Sequence, residues 1–159
     1  MKTKAGRRTS LTKISAPSHG RSSTKRLYSV PELLKLTKLT RKQVTYWALK
    51  KLLVPTIRDH GAPAGAPSSF YSAADAVKAL VFCDLRKAGF SLRQIQQVAK
   101  NLEDRQIRLD TNENYLLTDG YSVYYANSDS EALDMLKHYR QMLLLIPIHE
   151  QVEKLKQVA

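Results

Sequence analysis

Four helix starts are written into residues 27–102 at the level of single side chains. Ser29, Thr40, Ser72 and Ser91 are followed three positions later by Glu32, Gln43, Asp75 and Gln94, and each pair opens a segment with helical apolar spacing. A Ser or Thr just before a helix accepts the N–H of its third residue, and a Glu or Gln there reaches back to the cap backbone. Such a pair satisfies donors that the helix itself leaves open. Only Lys38 and Leu39 separate the first segment from Thr40. So short a link forces two helices to cross, the helix-turn-helix arrangement.

The first helix runs from Ser29 to about Lys38, with Pro31 tolerated in its first turn and Leu33, Leu34 and Leu36 on its buried side. The second runs from Thr40 to about Lys51, with Val44, Trp47 or Ala48, and Leu52 meeting the first, and Pro55 barring any further helical turn. Arg41, Lys42, Thr45 and Tyr46 stay off that apolar face. Gly61, Pro63, Gly65 and Pro67 lie between two β-capable pairs, Thr56 to Ile57 and Phe70 to Tyr71, which predicts a hairpin-like wing with Arg58 and His60 on its ascending side. A third helix from Ser72 to about Lys87 carries Ala76, Ala79, Leu80, Phe82, Cys83 and Leu85 as the core helix. Gly89 breaks it, and a fourth helix sets Leu92, Ile95, Val98 and Leu102 in one stripe.

Beyond Leu102 the pattern changes. YLLT (115–118) and YSVYYA (121–126) flank Asp119-Gly120, a pair suited to a type I′ hairpin turn, which needs φ above zero at both central positions. Ser128 with Glu131 caps a helix to about Tyr139 that buries Ala132, Leu133 and Leu136. MLLLIPI (142–148) reads as a buried strand, and Ile148, Val152 and Leu155 as a terminal amphipathic helix. The fold class is therefore α+β, mostly helical. Three regions are expected: a disordered basic arm at 1–26, a winged helix-turn-helix at 27–108, and a small α/β subdomain at 109–159 for dimerisation or partner binding.

Charge divides the chain in the same places. The net charge is +12, but residues 1–26 hold eight cations and no acid, residues 27–108 fourteen against six, and residues 109–159 four against eight. A polyanion facing the first two regions is the simplest physical account, because each cation that meets a phosphate releases a condensed counterion. Cys83 is the single cysteine, so no intrachain disulfide forms, which fits a reducing cytosol. No apolar run approaches the roughly 18 residues of a membrane span. A cytoplasmic, nucleoid-associated protein with no membrane partner is expected. His19, His60, His138 and His149 are scattered, and no ligand-spaced cluster, phosphate loop or nucleophile motif occurs. The expectation is a non-enzyme without a cofactor.

Residues 28–102 resemble the DNA-binding domain of the MerR family of bacterial transcription regulators. The resemblance rests on YSVPELLKLTKLT, TYWALKKLLVP, FYSAADA and KAGFSLRQIQQV, in that order. It implies a winged helix whose second helix enters the major groove while the wing follows flanking phosphates. Arg41 and Lys42 fall where the groove-facing residues start, Tyr46 where a backbone-contacting aromatic lies, and Arg58 at the start of the wing. Thr45 and Ser69 stand where many members carry arginine, a loss that the N-terminal arm is positioned to offset. The long dimerising coiled coil of well-known members is absent. Residues 116–141 are instead similar to the compact α/β ending of a subgroup with a Tyr-Trp-Ala recognition helix.

These readings converge on a sequence-specific transcriptional regulator that binds double-stranded promoter DNA as a homodimer. Arg41, Lys42, Thr45, Tyr46, Lys50, Arg58 and His60 are the expected DNA contacts, with Lys51 an alternative to Lys50. The residues leave open whether a small-molecule effector exists. Two rivals are an antitoxin-like or adaptor protein that works through its C-terminal region, and a non-specific architectural or recombination factor.

Overall fold

The computed structural model describes residues 26–59, 61–63, 65–109, 115–138 and 143–157. The arm therefore lies outside the described residues, apart from Arg26.

Strand β1 (Tyr28–Ser29) leads into helix α1 (Val30–Thr37), where the Ser29 side chain accepts from the Glu32 N–H. The Glu32 carboxylate accepts in turn from the Ser29 N–H at 2.8 Å. This backbone hydrogen bond is the largest influence holding the carboxyl below its ordinary range. Lys38 ends the helix at φ 63°, its N–H bonded to the Leu34 carbonyl. A left-handed lysine costs about 1 kcal/mol or more. Buried Thr37 offsets that cost by bonding to both sides of the turn, donating to Leu33 O and accepting from Leu39 N.

Thr40 and Gln43 form a second capping box at the start of helix α2 (Arg41–Leu49), which buries Val44 and Trp47. The helix stops at Leu49 rather than near Lys51. Lys50 caps it and Lys51 turns left-handed at φ 58°, so Leu52 and Leu53 drop into the core as an exit segment.

The wing closes through Thr56, Ile57 and Phe70: Phe70 N donates to Ile57 O at 2.8 Å, and Thr56 N and Ile57 N donate to Phe70 O. Strand β2 (Phe70–Tyr71) pairs further with β1, antiparallel, Tyr28 opposite Tyr71. That pairing ties the wing base to the start of α1. No local pattern announces it, because Tyr28 and Tyr71 are remote in sequence.

Helix α3 (Ala73–Lys87) is the most buried element, its Ser72 cap accepting from Asp75 N. Phe82 meets Trp47 edge-on with ring centroids 6.2 Å apart, so Trp47 is core rather than surface. Gly89 at φ 97° makes the elbow into helix α4 (Leu92–Asp104), which opens on the Ser91/Gln94 capping box and buries Ile95, Val98 and Leu102.

The C-terminal part contains β3 (Tyr115–Thr118), β4 (Val123–Ala126), α5 (Asp129–His138), β5 (Leu144–Pro147) and α6 (Ile148–Gln157), an antiparallel sheet in the order β4-β3-β5 with two helices. Consecutive residues of β3 face opposite sides. Leu116 joins the main core with Ile146, Ile148 and Leu155, while Leu117 joins Ala126 and Ala132 under α5. One continuous apolar core thus contains residues of α1, α3, α4, the sheet and α6. Gln151, 2% exposed, reinforces it by donating to the Asp84 carboxylate on α3 at 2.6 Å.

Three expectations here need correction. The Thr118–Val123 register leaves four residues in the loop, and of Asp119 and Gly120 only Gly120 has positive φ, so the turn is not type I′. The Asp119 carboxylate accepts from the N–H groups of Tyr121 and Ser122, and the loop folds around that side chain. On α5, Ala132 is buried, but Leu133 and Leu136 are 54% and 38% exposed. In MLLLIPI only Ile146 and Ile148 are buried among the described residues, since β5 is an edge strand and Ile148 already opens α6.

Candidate nucleic-acid interface

Helix α2 presents one continuous exposed side. Val44 and Trp47 point inward, whereas Arg41, Lys42, Gln43 and Lys50 are exposed, together with Tyr46 at 46% and Leu49 at 76%. Lys50 Nζ lies 5.5 Å from the centre of the Tyr46 ring, which holds the cation beside the aromatic at the end of the helix.

The wing is fastened to this helix. Arg41 Nη1 donates to the Gly65 carbonyl at 2.9 Å. A Cβ on Gly65 would stand 2.7 Å from Thr45 Oγ1 and 2.8 Å from the Arg41 carbonyl oxygen, closer than packed atoms approach. Only a glycine lets the tip come this near, and a small residue at 45 leaves it room. Position 69 follows the same logic. Ser69 is fully buried inside the wing and donates to the Pro63 carbonyl at 3.3 Å, a place with no space for an arginine. The tip is bent by further backbone bonds, Ala62 N to Asp59 O, Ala66 N to Pro63 O and Ser69 N to Ala66 O.

Arg41, Thr45 and the wing are therefore one assembly, with Lys42 and Tyr46 on the same helix and Lys50 at its cap. Arg58 is exposed at the base of the wing, where its charge partly counters the burial and Asp75 that push the Tyr71 hydroxyl up to about 12. His60 lies outside the described residues.

Sequence reasoning missed a second group of cations. Lys38, Arg86 and Lys87 line one cleft with Gln43, Tyr46, Cys83 and Leu92, so the α3–α4 elbow adjoins the start of α2. Gln96 Nε2 on α4 also reaches Lys50 O at 3.5 Å. The basic end of α3 was visible in the sequence, but cations at a helix C-terminus are equally explained by the helix dipole.

The stretch that forms the crossed helices and the wing, residues 28–102, matches the family model for MerR HTH family regulatory proteins. Residues 28–102 are a MerR-like segment. Proteins of Mycobacterium bovis and of two Mycobacterium tuberculosis strains, each named an uncharacterized HTH-type transcriptional regulator, are 30% identical to the chain over 110 residues. The aligned part is 69% of this chain and 48% of each relative, so the chain spans about half the length of these relatives. The matched stretch contains the crossed helices, the wing and the elbow into α4. No helix among the described residues is long and apolar enough to cross a membrane.

Proposed function

We propose that the chain is a non-enzymatic, sequence-specific regulator that binds promoter DNA as a homodimer in the cytoplasm. The observation that carries this reading is the wing fastened to the exposed side of α2 through Arg41 and Gly65. A helix and a wing held at fixed spacing present Lys42, Tyr46 and Lys50 to a groove and Arg58 to its flanking phosphates, and His60 is a further proposed contact. Arginine or lysine facing guanine O6 and N7 discriminates by roughly 1 to 3 kcal/mol per good contact, and bending of the site adds indirect specificity.

Selection of bound fragments from random and genomic DNA, followed by footprinting, tests the proposal. A regulator enriches a motif and protects a discrete site. A compacting or recombination-accessory protein protects none. Light scattering of a monomer at micromolar concentration, with and without DNA, would contradict the homodimer. The basic arm adds sequence-independent affinity, so deleting residues 1–26 lowers the slope of log affinity against log salt by about 0.9 for each phosphate that the arm neutralises.

One observation favours the adaptor reading as a second possibility. Leu133 and Leu136 are exposed on α5, whose first turn is acidic. A stoichiometric protein captured by the full chain and lost on Leu133→Ser/Leu136→Ser, with operator binding unchanged, would assign that helix to a protein partner.

A further inference from the structure

Between α2 and the wing tip lies a cleft of about 400 Å³, bordered by Thr45, Tyr46, Leu49, Pro63 and Ala66, with Arg41 and Lys42 at its edge. Its walls are mostly apolar, although it opens on the side of the helix that carries the cations. Leu49 is the most exposed large apolar side chain on α2, at 76%, and nothing in the fold requires a leucine there. Arg41, on α2, spends a guanidinium N–H on the Gly65 carbonyl. A base reader that relied on arginine alone would not wall this position with Leu49, Pro63 and Ala66.

The geometry points to a thymine-reading notch: the C5-methyl group of a thymine in the major groove enters between Leu49 and the wing tip. This rests on the DNA-binding proposal above and names a base that the site selects. In the major groove the four base pairs differ in their donors and acceptors, and the thymine methyl is the apolar feature among them. The charge around the notch selects the occupant. Arg41 and Lys42 at the edge and Lys50 at the end of the helix complement a phosphate backbone, which draws in a duplex rather than an apolar peptide. The notch also gives Thr45 and Gly65 a joint purpose. The small pair lets the wing tip sit close enough to α2 to form the second wall.

The test uses the full chain and the operator recovered by selection, in copies where deoxyuridine replaces one thymine at a time. This substitution removes the methyl and leaves every Watson–Crick and groove hydrogen-bonding group in place. One or two positions per half-site are expected to bind about fourfold more weakly, the loss equivalent to one buried methyl-sized group. At those positions Leu49→Ala should bind the thymine and uracil duplexes equally, whereas Leu49→Met should retain the difference. That cycle separates contact from the effect of a methyl on DNA stiffness, which Leu49→Ala leaves in place. Because Leu49 is exposed, an unchanged thermal midpoint is expected for both variants.

If the chain protects a discrete site yet binds every uracil copy as tightly as the parent, the notch does not read thymine and the regulator proposal stands. If no discrete site is protected, both fall. A full uracil penalty in Leu49→Ala also overturns the notch, and loss of a copurifying protein in that variant would assign the cleft to a protein partner.

Discussion

Arg41 Nη1 and the Gly65 carbonyl oxygen stand 2.9 Å apart, joining the first residue of α2 to the tip of the wing. The two are separated by 24 residues in sequence, so the bond sets a tertiary spacing rather than a local shape. Under the proposed function, Arg41 can act on DNA by direct contact or by placing the wing.

Arg41→Ala removes this bond, and the net worth of one such bond is about 1 kcal/mol. Operator affinity is expected to fall at least about fivefold, measured by fluorescence anisotropy. If placement of the wing is the main role, the same loss appears on operator and random DNA. A loss of preference confined to the operator would instead place Arg41 on a base edge.

Gly65→Ala tests placement without touching a charge. The new Cβ meets Thr45 Oγ1, which can rotate, and the Arg41 carbonyl, which cannot move without disturbing the helix. The tip must retreat. Amide exchange in 65–69 should accelerate and DNA affinity should drop, whereas unchanged exchange there would show that the tip does not depend on this close approach.

Gln151→Leu strips the Asp84 carboxylate of its partner across the α3–α6 contact. Leaving a partly buried carboxylate short of one bond costs about 1 to 3 kcal/mol. Because the apolar core is continuous from α1 to α6, the variant should unfold in one transition at a lower midpoint by calorimetry. Two separated transitions would show that the C-terminal elements form an independent unit.

Acid should weaken the fold in a defined window. Glu32 and Asp119 are both held below their ordinary values of 4.5 and 3.8. For Asp119, burial pulls the other way and the Ser122 and Tyr121 N–H groups outweigh it. A carboxyl with a depressed folded value adds stability above its unfolded value and loses it as pH falls through the folded one. Urea midpoints should be unaffected by these groups near neutrality and fall below about pH 4.5. Glu32→Gln should fall less steeply across that window.

Cys83 should be inert while the chain is folded. Burial pushes its thiol up to about 11 from 9.0, with Lys87 opposing and Asp84 assisting. Maleimide labelling at pH 7 is therefore expected to follow unfolding rather than direct attack. The raised value has the opposite pH sign to the carboxyls: the contribution is complete below pH 9.0 and lost as pH rises through about 11.

The helix starts were legible because each depends on a side chain and a backbone N–H three residues apart. Ser29, Thr40, Ser72 and Ser91 cap α1, α2, α3 and α4 as the spacing predicts. The order of strands and helices after Leu102 was legible for a related reason, since alternation and helical spacing are local patterns. The exposure of Leu133 and Leu136 was not legible. An apolar stripe records what a helix can cover, and α5 covers only a three-stranded sheet.

The candidate site was legible in its cations and aromatics but not in its arrangement. Lys42, Tyr46 and Lys50 sit where periodicity places them. The fastening of Gly65 to Arg41 and Thr45, the approach of Arg86 and Lys87 to Tyr46, and the exposed Leu49 beside the wing all depend on chain segments distant in sequence.

By itself, then, the amino-acid order determined where helices begin, which faces of α1 to α4 turn inward, and that a basic crossed-helix unit resembles the MerR family. Tertiary structure alone decided that β1 pairs with the wing base, that α6 locks onto α3, and that a glycine in a loop sets how near the wing tip comes to α2. The reason is physical. Capping and amphipathicity act over three or four residues, whereas the meeting of remote segments depends on how the whole core packs.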